Sequence, residues 1–181
     1  MLRKIFILTI SSFLATSLFA QDLTDSSKLF PPPRQLNNPS KTKIWENANY
    51  HIQLQVPSDW KKIEPNEGEI VSFATPHKNI FAVRGYKGLF PGNSEYTRKW
   101  VEIGLMRQDT TLKLISSRID TIQNVEFVDL IFDKVNGERT DLYRAIIFHN
   151  GLNSFFITCL YSKSHKVEFD KAIRLILSSI Q

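Results

Sequence analysis

From Tyr50 to Val56 apolar residues fall at every second position, with His51, Gln53 and Gln55 between them. That period of two predicts a half-buried strand. Pro57 ends it, and Ser58-Asp59-Trp60 reads as a turn that returns one large aromatic to the core. Ile70 to Ala74 and Ile80 to Tyr86 are two further strands, separated by the breaker Thr75-Pro76-His77-Lys78-Asn79. Lys87-Gly88-Leu89-Phe90-Pro91-Gly92 is a loop by its Gly and Pro. Asn93 or Ser94 then caps a helix, with Glu95 in its first turn and Tyr96, Trp100 and Ile103 on one face. The helix fades by Asp109-Thr110-Thr111, and Leu112 to Ile122 is the next strand.

Beyond Asn124 the pattern predicts a three-stranded meander. Asn136-Gly137 and Asn150-Gly151 separate apolar runs, and an Asn-Gly pair supplies the two positive φ angles of a type I′ turn. Within the runs the alternation blurs. Phe127-Val128, Leu130-Ile131-Phe132, Ala145 to Phe148 and Phe155-Phe156-Ile157 place apolar groups on both faces. A sheet apolar on both faces is covered on both faces. One cover is the last helix, capped by Ser164 and running to the final residue. Phe169, Ala172, Ile173, Ile176, Leu177 and Ile180 form its stripe, with Lys166, Glu168, Lys171 and Arg174 pointing away. Two-residue turns make neighbouring strands antiparallel. The expected class is α+β: a central, mostly antiparallel sheet with a C-terminal meander and a closing helix.

The N-terminal region follows a different logic. Arg3 and Lys4 precede a short apolar run from Ile5 to Leu14, and Ala20 precedes Gln21. This is the pattern of a secretory signal peptide over residues 1–20, too short for a comfortable membrane span. Leu18 departs from the small residue wanted two positions before Ala20, which leaves an uncleaved anchor as the alternative. The expected location is therefore exported, periplasmic. Residues 21–43, with Pro31-Pro32-Pro33 and Asn37-Asn38-Pro39, carry too little apolar surface to offset ordering entropy. They read as a flexible Pro-rich tether ahead of a domain spanning 44–181. Leu29-Phe30 before the prolines is either a docking motif or plain spacer.

Charge and chemistry change little. The formal net charge is +5, reduced to +3 when Arg3 and Lys4 leave with the first segment, too mild for a nucleic-acid partner. Eight basic residues against three acids lie between Lys78 and Arg118. They form either a patch for anionic lipid or an acidic partner, or an ordinary solvated helix face. Cys159 is the only cysteine, so the fold has no internal disulfide, and in an apolar run it reads as a small buried hydrophobe. His51, His77, His149 and His165 show no ligand spacing, although His149 with Asp141 or Glu138 is a conceivable assembled site. Asp129 and Asp133 on one strand face read as solubilising charges. There is no Gly-x-Ser-x-Gly elbow and no phosphate loop. No catalytic residue, metal or cofactor is expected.

The chain resembles the PsbP-like superfamily, which includes the bacterial DcrB-like exported proteins. The likeness rests on Tyr50-x-Ile-x-Leu-x-Val-Pro-x-x-Trp60, the helix around Trp100, Gly151-Leu-Asn-Ser-Phe-Phe-Ile-Thr158 and the closing Ile176-Leu-Ser-Ser-Ile180. It covers about Ile44 to Gln181. The resemblance implies an α/β/α sandwich and a non-enzymatic accessory role at or near a membrane complex; it carries over no functional residue. The expected function is an exported, non-catalytic interaction module with an envelope or membrane-associated protein as partner. The alternative is a small-ligand or lipid carrier of the cell envelope, with the thirteen Phe lining a pocket. The candidate contact with a partner, or peripherally with a membrane, is Leu89 and Phe90 in their Gly/Pro loop, flanked by Lys87 and by Arg98 and Lys99 of the helix. Against it stands the reading that Phe90 packs over the helix start.

Overall fold

The computed structural model describes residues 41–180, apart from Pro91 and Glu138. The signal peptide and nearly all of the tether thus lie outside the described residues. The elements are β1 (Thr42–Asn47), β2 (Ile52–Pro57), β3 (Lys61–Ile63), β4 (Glu69–Ala74), β5 (Ile80–Lys87), α1 (Ser94–Gln108), β6 (Leu112–Ile122), β7 (Val125–Asn136), β8 (Arg139–Asn150), β9 (Asn153–Ser162) and α2 (Lys166–Leu177). Seven strands form one sheet in the order β3-β4-β5-β9-β8-β7-β6. Every neighbouring pair in it is antiparallel. β1 and β2 form a separate hairpin.

The doubly apolar strands have a core on each face. On one face Phe81, Val83, Phe127, Ile146, Phe148, Phe155 and Ile157 pack with Leu54 and Val56 of β2 and with Phe169, Ile173 and Ile176 of α2. Trp60 stacks on Phe169 at 5.5 Å, and Tyr161 stacks on the same ring at 4.4 Å. These rings fasten the closing helix to the sheet. On the other face Val128, Leu130, Phe132, Ala145, Ile147 and Phe156 pack with Val101 and Leu105 of α1. The fold is α+β, with helical cover on both sides of a mostly antiparallel sheet.

Several expectations need correction. α1 buries Thr97, Val101 and Leu105, not the face through Tyr96 and Ile103, which are 54% and 47% exposed. Small Thr97 and Val101 let the helix approach β6 and β7, while half-buried Trp100, like Tyr86 and Phe90, packs against the margin of this core. Asn93 is the cap, its side chain accepting from the Tyr96 N–H at 2.9 Å. At the C-terminal end Ser162, not Ser164, caps: it accepts from the Ser164 N–H and opens a short 3₁₀ turn before α2. α2 itself stops at Leu177. β1 and β3 were not visible as strands in the pattern, and β2 starts at Ile52 because residues 48–51 form a turn.

The meander turns also differ. Asn136 pairs with Arg139 and Asn150 with Asn153, so Gly137 and Gly151 each take the first central position of their turn, where Asn was expected. Gly137 and Gly151 carry φ of +61° and +59°. This register sets Phe148 against Phe155, stacked at 5.1 Å, and against Phe127 at 5.2 Å. An Asn-Gly-centred turn would oppose Phe148 with Asn153 instead, so aromatic pairing decides the register. Among the described residues, two positive φ angles at consecutive non-glycine residues occur in the hairpin turn Gln123-Asn124, at +51° and +66°.

Candidate functional site: the turn end of the sheet

Three segments converge at one end of the sheet. They are the turn between β1 and β2, the residues following β5, and the Gly151-Leu152 turn between β8 and β9. Their side chains surround a shallow depression of about 660 Å³, lined by His51, Lys87, Leu89, Asn150, Leu152 and Asn153 with two glycines. The floor is tightly tied. The Asn153 amide donates to the Tyr50 carbonyl at 3.0 Å, the Asn150 amide to the His51 carbonyl at 3.4 Å, and the Gly88 N–H to the Leu152 carbonyl at 2.9 Å. The Lys87 ammonium donates to the Asn49 carbonyl and sits 4.8 Å from the centre of the Tyr50 ring. That ring lies over Gly85, where any Cβ would come within 2.7 Å of it.

Buried Ser154 holds the inner wall. Its hydroxyl accepts from the Phe90 N–H at 2.9 Å and donates to the Gly88 carbonyl at 2.8 Å. His149 Nδ1 lies 2.9 Å from the same oxygen. With the single hydroxyl proton assigned to the Gly88 carbonyl, which can only accept, His149 Nδ1 is the donor and the free lone pair is on Nε2. A nucleophilic serine needs the reverse, with the imidazole accepting from an accessible hydroxyl. The pair is a structural brace. Burial lowers the His149 pKa, which the Glu126 charge opposes.

The residues singled out from the sequence divide. Leu89 is exposed on one lip of the depression. Phe90 is half-buried and turns inward, its ring 5.3 Å from Tyr86 and 6.1 Å from His149. Lys87 belongs to the floor. Arg98 is not part of this site: it pairs with Glu95 at 2.6 Å and Glu102 at 3.5 Å and donates to Ser117 of β6. Its hydrogen bond holds the Glu95 carboxyl down at about 2. Lys99 is exposed, 3.5 Å from the same Glu95. Leu152, 80% exposed, was missed. No local signal marked it: with the turn centred on Asn150-Gly151, Leu152 would head the next strand, and only the Asn150–Asn153 pairing puts it at the turn tip.

Other candidate chemistry resolves into structure. Asp129 is buried, not solubilising, and accepts from Arg144 at 2.7 and 2.9 Å and from Arg118 at 2.9 Å. Arg144 also reaches Asp170 of α2 at 3.0 Å. Asp141 pairs with Arg139 at the far end of β8 from His149, and Glu138 lies outside the described residues. His77 and His165 stack at 4.1 Å with 10° between planes, so their lone pairs do not converge on one ion. Among the described residues no group of three His, Cys, Asp or Glu side chains is arranged to hold a metal. Cys159 is buried, and that burial raises its thiol pKa. The buried phenylalanines fill the two cores. Among the described residues no helix is long and apolar enough to cross a membrane.

No family model matches the chain, and no curated protein matches it in sequence. Solved structures do match in fold. The cyanobacterial PsbP (CyanoP) of Synechocystis sp. PCC 6803 aligns with TM-score 0.59 at 12% identity, over 84% of this chain and 98% of its own. The Ran-binding protein Mog1p of Saccharomyces cerevisiae aligns with TM-score 0.58 at 9% identity, over 78% and 95%. LpqN of Mycobacterium tuberculosis, described as involved in cell envelope biogenesis, aligns with TM-score 0.52 at 10% identity, over 81% and 86%. The fold is PsbP-like. At these identities the likeness is one of fold.

Proposed function

We propose that this chain is an exported, non-catalytic accessory module of the PsbP-like, DcrB-like kind, which binds an envelope or membrane-associated protein. The observation that carries the reading is the turn end: a hydrogen-bonded platform that presents exposed leucines and holds its one serine–histidine pair in a bracing arrangement. Fold likeness to a Ran-binding protein and to a protein of cell envelope biogenesis supports a binding role in an envelope setting. The signal-peptide pattern of residues 1–20 and the Pro-rich segment 21–43 supply export and reach. Expression of the full chain in its own host, with the N-terminus read by mass spectrometry, tests export; a chain starting at Gln21 in the envelope fraction is the expected result. Co-purification from that fraction after mild crosslinking tests binding. Recovery of the chain alone, at low salt and with crosslinker, defeats the proposal.

A further inference from the structure

We infer that the turn end receives an acidic, apolar segment of the protein partner, with Leu89 and Leu152 as the two anchors. The inference rests on the binding reading above and specifies its face and its chemistry.

Leu152 sits at the tip of a two-residue turn, and Leu89, which follows Gly88, lines the same depression. Both are more than half exposed. The Leu152 side chain is 80% exposed, and a turn tip is ordinarily polar. The backbone beneath both leucines is held by the Gly88–Leu152 hydrogen bond and by Ser154. Little conformational freedom is therefore left to lose when a partner covers them, and apolar anchors on a preorganised frame are what binding rewards. Strain points to the same end. His51, Gln123 and Asn124 are three of the four described non-glycine residues with positive φ, and all three lie in turns at this end of the strands.

The charge of the lining selects the partner. Among the described residues the titratable side chains that line the depression are Lys87 and His51, and none is a carboxylate. Two of the three ammonium hydrogens of Lys87 remain for a carboxylate once Asn49 is served. A membrane is a poorer fit. Stable interfacial binding needs a cluster of basic residues around the inserted apolar ones, and Arg98 and Lys99 face Glu95 and Glu102 rather than this end.

The test is site-specific photocrosslinking in the intact envelope, with the full chain carrying p-benzoylphenylalanine at position 89, 152 or, as a control on α2, 167. Adducts to polypeptide at 89 and 152, at least tenfold above 167, are expected. A second substitution reads the charge: in the position-89 chain, Leu152→Lys is expected to retain at least fivefold more adduct than Leu152→Asp. Both variants are expected to melt with the wild type, because the side chain they replace is solvated. Lipid adducts at 89 and 152, an adduct confined to 167, or equal retention by the two variants would overturn the inference. Absence of adducts at 89 and 152 with capture from 167 overturns this face and leaves the binding function standing. Absence from all three positions removes both.

Discussion

At the residue scale, buried polar groups hold the turn end and the helix start in place. Ser154 satisfies two backbone groups with one hydroxyl. Ser154→Ala leaves the Phe90 N–H and the Gly88 carbonyl without it, and a cost of about 2 kcal/mol is expected in urea unfolding. His165 offers a pH test. Its Nδ1 is buried without a hydrogen bond, and its ring lies on His77. Burial, then the His77 charge, lowers its pKa in the folded chain, against a smaller opposing effect of Glu168. The unfolded chain therefore takes up the proton first as pH falls. Stability present above the ordinary histidine range is lost as pH drops through the lowered folded value. Unfolding midpoints measured from pH 8 to pH 5 are expected to fall more steeply in the wild type than in His165→Gln. Equal slopes would mean that the pair is indifferent to protonation.

At the element scale, hairpins set the register and turns take what conformation remains. Gln123 occupies a left-handed position that a side chain adopts at a cost of about 1 kcal/mol. Gln123→Gly removes that strain at some expense in unfolded-state entropy. A net gain of about 0.5 kcal/mol, seen as a higher melting temperature, is the expected outcome. Gly85 makes the opposite case. Its missing Cβ admits the Tyr50 ring, which lies edge-on to Phe155 at 6.2 Å and seats the β1–β2 turn on the sheet. Gly85→Ala displaces that ring and is expected to cost about 2 kcal/mol by overpacking. Loss of Tyr50 packing is readable from near-ultraviolet circular dichroism.

At the scale of the whole molecule, one charge cluster joins the layers. Arg144 on β8 binds Asp129 on β7 through two donors and Asp170 on α2 through a third. Asp129→Ala leaves the buried guanidinium with Asp170 as its one described acceptor, and a loss of about 3 kcal/mol is expected in chemical denaturation. Arg144→Met is expected to cost less, because the thioether chain fills the space and Asp129 keeps Arg118. The strands themselves were legible in the chain. Period-two alternation marked Tyr50 to Val56, runs apolar on both faces marked β7 to β9 as a covered layer, and the stripe from Phe169 to Ile180 marked the closing helix. Those features are local, because side-chain periodicity follows backbone geometry. Local pattern did not reveal the sheet order, the roll of α1, or the turn centres at Gly137 and Gly151. Each depends on pairings between residues far apart in the chain, such as Phe127 with Phe148 and Val101 with the sheet. Leu89 was visible as an apolar residue in a loop. That it shares a depression with Leu152, 63 positions away, was decided only when β5 paired with β9 and brought the two segments to one end of the sheet.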